Sequence, residues 1–183
     1  MYKNRVIVSL VLFFIIISIS TSEAMYKGEV NAGEKSIAFN LQSEAGDKRA
    51  FTLESDFSLS STLAFLSLYH HSNNKEFLNL DLKFNMISDS EFDLSFLAGY
   101  QIDINNIDNK KPRIGLIASQ SLSRHLKVNG GATVLLKETD DILGFEFGFN
   151  YMLTRNWSLE AGHRRLAGAK DAEGLVVGFR NYF

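Results

Sequence analysis

Apolar and polar residues alternate one by one along much of the chain, which is the period of a β-strand with two different faces. In residues 76–86 (EFLNLDLKFNM), leucines at 78, 80 and 82 share one face, and Asn79, Asp81 and Lys83 share the other. Residues 91–103 and 145–151 repeat the pattern. No amphipathic helical pattern follows residue 24, so an all-β fold is predicted.

The same alternation predicts ten strands over the chain. They span residues 35–42, 49–57, 61–70, 76–86, 91–103, 112–119, 125–137, 142–152, 156–164 and 174–183. Short, mostly serine-bearing turns alternate with longer polar loops, and we expect the single proline, Pro112, to close the longest loop region. This layout is typical of outer-membrane barrels. We therefore predict a closed antiparallel up-and-down transmembrane β-barrel, with ten strands and with eight as the alternative.

A soluble β-sandwich also has short alternating strands, but its apolar faces point inward. Here the apolar faces carry most of the 15 phenylalanines, whereas the opposite faces are rich in glycine, small and charged residues. This favours a barrel with lipid outside and polar groups inside. Leu80, Phe96, Phe147 and Phe179 are expected to contact lipid.

The N-terminus has the form of a secretory signal peptide. Lys3 and Arg5 precede a short apolar run, and Ser22-Glu23-Ala24 has the small-x-small form of a cleavage site. We expect residues 1–24 to be removed and residues 25–183 to form one outer-membrane barrel domain in a Gram-negative bacterium. Without this segment the net charge of −2 becomes −3, and the chain has no cysteine. Nothing in this composition indicates a nucleic-acid partner.

Two stretches near the C-terminus resemble known proteins. Residues 174–183 (GLVVGFRNYF) resemble the C-terminal signal of outer-membrane barrels, although Asn181 departs from that pattern. Residues 155–179 (RNWSLEAGHRRLAGAKDAEGLVVGF) resemble the ending of the YfaZ-like outer-membrane β-barrel protein family. The first resemblance implies that the barrel-assembly machinery reads four apolar positions, Leu175, Val177, Phe179 and Phe183.

The second resemblance implies a location and a fold more than a mechanism. It carries over no catalytic residue and no cofactor. The expected partners are outer-membrane lipid and lipopolysaccharide, with the assembly machinery during insertion, and the barrel is expected to be a monomer. The expected role is structural or surface-interacting and non-enzymatic.

A lipid-modifying enzyme is an alternative function. His70, Ser72 and Asn73 resemble the His-x-Ser-Asn of lipid A deacylases, in which a histidine activates a serine and an acid orients the histidine. The acid of that family follows roughly a dozen residues after the serine, where this chain has Lys83, Phe84 and Asn85. Because the acid is missing, we interpret these residues as part of a polar loop rim and not as a catalytic site.

The predicted inner face carries charges that need partners, because breaking a buried ion pair costs about 3–5 kcal/mol. The predicted lumen residues include Glu54, Asp81, Lys83, Asp93, Lys127, Glu146, Glu160, Arg164 and Arg180. We expect Arg180 to join Glu160, and by extension Glu146, in a cluster that closes the middle of the barrel. The main hypothesis is a plugged lumen, and the alternative is a narrow channel for ions or small solutes.

Overall fold

The computed structural model describes residues 31–44, 48–72, 75–89, 91–137, 142–168 and 173–183. The predicted signal peptide lies outside these ranges. Ten strands follow one another: β1 (Lys35–Glu44), β2 (Lys48–Ser58), β3 (Leu63–His71), β4 (Glu76–Ser88), β5 (Phe92–Asp103), β6 (Asn106–Ser121), β7 (Leu126–Leu135), β8 (Ile142–Met152), β9 (Trp157–Arg165) and β10 (Glu173–Tyr182).

Every strand pairs antiparallel with its neighbours in the chain, and β1 also pairs with β10. The closing ladder runs from Ser36 opposite Tyr182 to Gln42 opposite Val176. Closure removes the exposed sheet edges that an open ten-stranded sheet would present. The predicted ten-stranded antiparallel barrel is thus confirmed. Within the described ranges, no helix is long and apolar enough to cross a membrane.

The connection between β5 and β6 differs from the sequence prediction of a long loop with Pro112 at its end. The structure starts β6 at Asn106, so only two residues join the strands, and Lys110 pairs with Ile102. Residues 106–111 are polar apart from Ile107 and do not alternate, a composition that is typical of a loop. A strand that projects beyond the bilayer needs no apolar face, so it can have this composition.

β6 can contain Pro112 because the backbone N–H that proline lacks would point to the β7 side, where the β6–β7 ladder ends. The Pro112 carbonyl accepts a hydrogen bond from Leu136 N at 2.9 Å. The N–H and C=O of one residue in an antiparallel strand point to the same side, so the absent donor also faces the β7 side. β7 ends at Leu135, and the β5–β6 ladder therefore loses no hydrogen bond at this position.

The four turns that join β2 to β3, β4 to β5, β6 to β7 and β8 to β9 are closed by the same kind of hydrogen bond. In each turn a side-chain oxygen accepts the backbone N–H three residues later: Ser60 from Leu63 at 3.1 Å, Asp89 from Phe92 at 2.7 Å, Ser123 from Leu126 at 3.1 Å and Thr154 from Trp157 at 3.1 Å. These short polar side chains satisfy backbone donors that the tight turn leaves unpaired. Hydrogen bonds from the Glu91 and Phe92 N–H groups lower the pKa of the exposed Asp89 carboxyl.

The barrel has its polar residues inside. Among the described residues, 24 buried side chains are polar or charged and 12 are apolar. Large apolar side chains instead lie on the outer surface, for example Leu53, Leu116, Leu159 and Phe179, each more than 40% exposed. This distribution is the reverse of that in a soluble domain and matches a wall that faces lipid.

Candidate functional site

The lumen holds the charged residues that alternation assigned to the inner face. Eight of the nine predicted lumen residues are buried, and Lys127 is half-buried. Three of the four predicted lipid-facing residues, Leu80, Phe96 and Phe147, are half-buried on the opposite face, and Phe179 is 46% exposed. The charged groups are therefore removed from solvent, and the lumen must provide their partners.

Arg180 lies between two carboxylates inside the barrel. Its Nε donates to Glu160 Oε1 at 2.5 Å, and its Nη2 donates to Glu54 Oε2 at 2.9 Å. Its third nitrogen, Nη1, donates to Ser36 Oγ at 3.1 Å. Arg180 is 2% exposed and both carboxylates are 1% exposed. A planar guanidinium with donors on several edges suits this position, because it can bind two acids at once.

Arg164 extends the cluster to Glu146. Arg164 Nη2 donates to Glu54 Oε1 at 2.5 Å, and its Nε donates to Glu146 Oε2 at 3.1 Å. The order of contacts is therefore Glu160, Arg180, Glu54, Arg164 and Glu146, which we call the arginine–glutamate network. The predicted contact of Arg180 with Glu160 is present, but Glu146 binds Arg164 instead of Arg180. Register explains this difference, since Arg164 lies directly opposite Glu146 on the neighbouring strand.

Glu54 is the centre of the network, which the sequence did not reveal. It binds both arginines through different oxygens, and Asn40 Nδ2 donates to its Oε1 at 3.1 Å. Alternation placed Glu54 in the lumen. Its central position follows from closure of the barrel, which brings β2 and β10 to either side of β1. A residue 126 positions away in sequence thereby becomes a contact of Arg180.

Glycine makes room for the long side chains of the network. Gly178 lies on the lumen face of β10, opposite Asn40 and Glu160. A Cβ atom at this position would lie 1.9 Å from Asn40 Oδ1 and 2.3 Å from the Phe39 carbonyl oxygen. Any larger residue would displace the backbone of β1 or the amide that binds Glu54. The small residue is thus a packing requirement of the network.

A cluster of apolar side chains lies on the opposite side of the lumen, among buried polar ones. Seven buried residues form this cluster, which we call the apolar wall: Ala64, Leu66, Leu68, Phe77, Leu97, Ile117 and Leu166. Six of them come from β3 to β6, whereas the network comes from β2, β8, β9 and β10. Two further ion pairs adjoin this wall, Lys83 with Asp56 at 2.5 Å and Arg113 with Asp81 at 3.4 Å. Buried side chains from both sides therefore project into the middle of the barrel.

A cavity lies at each mouth of the barrel. The short-turn mouth is the end of the barrel with the β2–β3, β4–β5, β6–β7 and β8–β9 turns, and the long-loop mouth is the opposite end. The short-turn mouth holds a cavity of about 270 Å³, whose lining includes Arg124, Lys127, Arg155, Glu34, Asn150 and Tyr182. The long-loop mouth holds a cavity of about 210 Å³, whose lining includes Lys75, Lys111, Glu76, Asp103, Gln101 and Gly168. The network and the apolar wall lie between these two cavities.

The residues after β9 turn inward and narrow the long-loop mouth. Leu166 and Ala167 are 6% and 5% exposed. Gln101 Nε2 donates to the Ala167 carbonyl at 3.0 Å, and Lys75 Nζ donates to the Gly168 carbonyl. Gly168 has a φ of +88°, the left-handed conformation that favours glycine. This segment lines the long-loop cavity and lies over the apolar wall.

Comparison with known proteins agrees with this geometry at the level of fold. No family model and no curated protein sequence matches the chain. The KdgM porin, solved in complex with disordered oligogalacturonate, is similar over 81% of this chain and 99% of its own, with 10% identity and a TM-score of 0.53. The chain has the fold of an outer-membrane β-barrel.

Another similar structure is an outer membrane channel from Pseudomonas putida F1. It has 9% identity and a TM-score of 0.49, and the similarity covers 90% of this chain and 98% of that one. The similarity to the KdgM porin concerns the fold alone. No family-model or sequence match links the chain to the YfaZ-like family.

The contact described for His70, in the predicted His-x-Ser-Asn motif, is that of a packing residue. The His70 ring is buried and stacks on Phe77 with 4.8 Å between ring centroids. The Ser72 hydroxyl donates to the Lys75 carbonyl at 3.3 Å. Asn73 lies outside the described residues. No group of acidic or histidine side chains within the described part of the chain has the arrangement of a metal site.

The four residues of the predicted assembly signal lie on the outside of the barrel. Leu175, Val177, Phe179 and Phe183 are each 46–60% exposed. Phe179 packs near Phe39 and Trp157, with ring centroids 6.0 and 5.9 Å away. Phe183 N donates to the Lys35 carbonyl at 3.0 Å, which attaches the end of β10 to β1. Recognition by an assembly factor stays a prediction.

Proposed function

We propose that this protein is a non-enzymatic barrel of the bacterial outer membrane whose lumen is closed, and that its role is structural or directed at the cell surface. The arginine–glutamate network carries this proposal. Its five side chains are at most 6% exposed and lie between the cavities of the two mouths. A small barrel is just wide enough for its side chains, so a network of this size fills the section available to solutes.

The proposed location has lipid on the outer wall and lipopolysaccharide around the long loops. We further propose that residues 1–24 are removed, that the barrel is a monomer and that it belongs to the YfaZ-like family. The barrel-assembly machinery would recognise the last strand. If so, Phe183→Ala should reduce assembly in cells far more than refolding in detergent, and equal losses in both would reduce Phe183 to a packing residue.

A narrow, gated channel is the second candidate. One observation favours it: the two cavities lie at opposite mouths, and side chains, which can change rotamer, close the space between them. The fold of the KdgM porin is compatible with either function.

Planar-bilayer recording distinguishes the two functions. We expect the refolded wild-type protein to add no steady conductance. Replacing both guanidinium groups, in Arg164→Ala with Arg180→Ala, should leave room for water beside three carboxylates and produce cation-selective conductance. Arg165→Ala serves as the matched control, because Arg165 is 40% exposed and pairs with Glu173 outside the network. Steady conductance of the wild type would favour the channel instead.

A further inference from the structure

The cavity at the short-turn mouth carries an excess of positive charge. Arg124 and Arg155 come from the β6–β7 and β8–β9 turns, and Lys127 lies on the lumen face of β7. One carboxylate, Glu34, lines the same cavity and accepts a hydrogen bond from Asn31 Nδ2 at 2.8 Å. Three cations therefore face one acid.

The two arginines are available to a ligand. Both are exposed, and neither forms an ion pair with a carboxylate in the described part of the chain. Their guanidinium groups present rigid forks of donors that match the oxygens of phosphate or carboxylate groups. A concave site walled by protein also concentrates the field of like charges more than a flat surface does.

The floor of this cavity is polar and held in place. Asn150 Nδ2 donates to Glu160 Oε1 and to the Tyr182 hydroxyl, both at 3.1 Å. Glu160 in turn binds Arg180 of the network. The cavity has a volume of about 270 Å³. It can hold a small oxyanion with several charged oxygens.

The cavity at the other mouth is a built-in contrast. Lys75 and Lys111 line it together with Glu76 and Asp103, so positive and negative charges balance. Lys75 Nζ also donates to the Gly168 carbonyl, and Tyr69 donates its hydroxyl hydrogen to Glu76. Of these two cavities, only the one at the short-turn mouth has an excess of positive charge.

From these observations we infer that the short-turn mouth binds a small soluble polyanion of the phosphate or carboxylate type. Arg124 and Arg155 clamp it, and Lys127, Asn150 and Tyr182 line the space it fills. Short turns of outer-membrane barrels face the periplasm, so the ligand would come from that compartment. Binding here does not require that a solute cross the lumen, and it can therefore fail or succeed independently of the proposed closed barrel.

Calorimetric titration of the refolded full-length barrel with pyrophosphate tests the inference. We expect saturable binding in low salt that weakens as sodium chloride is added, because the arginines are exposed to screening. Arg124→Gln with Arg155→Gln should weaken binding about tenfold or more, since each charge-assisted contact is lost. Lys75→Gln with Lys111→Gln at the other mouth is the matched control and should leave affinity within about twofold.

Amide chemical shifts locate the ligand and separate soluble from lipid phosphate. Pyrophosphate should shift the resonances of Asn150 and Tyr182 and leave that of Gln101 in place, in nanodiscs of either zwitterionic or anionic lipid. Absence of wild-type binding, or equal weakening by both double variants, would overturn the inference. Binding that disappears in anionic nanodiscs would also overturn it, because lipid headgroups would then occupy the arginines.

Discussion

The arginine–glutamate network and the apolar wall are two clusters of opposite chemistry inside one barrel. The arginine–glutamate network uses long charged side chains, glycine gaps and directional hydrogen bonds, whereas the apolar wall uses branched side chains in close contact. Burial of a charged network adds little net stability over an apolar core, because desolvation offsets attraction. Apolar burial stabilises directly. The difference indicates that the wall contributes folding energy and that the network fixes one arrangement of side chains, which we propose closes the middle.

Breaking the network while leaving its acids in place should have the largest effect. Arg164→Met leaves Glu54 and Glu146 buried without this cation, so the free energy of unfolding should fall by about 3–5 kcal/mol. Urea unfolding in lipid vesicles measures it. Arg165→Met, one residue away on the outer face, should cost about 0–1 kcal/mol. Equal losses in the two variants would contradict a special role of the lumen side.

Truncation of the apolar wall tests the other side. Leu68 is fully buried in that cluster, and Leu68→Ala should lower the free energy of unfolding by about 2–5 kcal/mol through lost burial and a residual cavity. Leu41→Ala on the outer face, where Leu41 is 57% exposed, should cost less because lipid can fill the space. Conductance should stay absent in Leu68→Ala. A loss below 1 kcal/mol would mean that the wall is loosely packed.

A charge on the outer face sharpens the comparison, because the lumen supplies partners and lipid does not. Phe147 lies at the middle of β8 and faces outward. Phe147→Lys should cost about 2–4 kcal/mol, whereas Tyr151→Lys near the end of the strand should cost about 0–1 kcal/mol. Unfolding in bilayers of defined thickness measures both. A Phe147→Lys variant as stable as the wild type would contradict the orientation of the barrel wall.

The smallest loss of stability is expected when the space beside the network, which Gly178 leaves open, is filled. Gly178→Ala should cost about 1–3 kcal/mol, since the new Cβ meets the Phe39 carbonyl and the Asn40 amide. Gly130→Ala is the control, because its Cβ would lie 3.6 Å from Phe147 Cδ2, an ordinary contact. Thermal unfolding in detergent compares the pair. Equal melting temperatures would mean that β1 adjusts at no cost.

Alternation predicted most of the fold because a barrel wall separates lipid from lumen at every second residue. The alternation is weakest where that separation is absent, although the strand predicted at 61–70 is present as β3. Residues 63–70 of β3 are apolar on both faces, since one face meets lipid and the other forms the apolar wall. Residues 106–111 are polar apart from Ile107 and do not alternate. A strand segment outside the bilayer needs no apolar face. In both places the sequence lacks a period of two, although both segments lie within strands.

The lumen cluster was predictable in its members and not in its contacts. Parity along each strand assigns Glu54, Arg164 and Arg180 to the inside. Which acid meets which arginine depends on register between strands and on closure through β1. A single sequence fixes neither quantity. This is why the pairing of Arg180 with Glu160 on adjacent strands was anticipated, whereas the bridging position of Glu54 was not.

Solvent access to the middle of the lumen tests the closed barrel most directly. The chain has no cysteine, so Ala38→Cys introduces a single thiol at a position that is fully buried beside the network and opposite Arg180 and Glu54. We predict that a small water-soluble methanethiosulfonate reagent leaves this thiol unmodified in the folded barrel. The same reagent should modify Arg155→Cys at the mouth quickly. Removing both Arg164 and Arg180 by alanine substitution should make the Ala38→Cys thiol reactive. Modification of this thiol in the otherwise wild-type barrel, at the rate seen at the mouth, would contradict a lumen closed by the arginine–glutamate network.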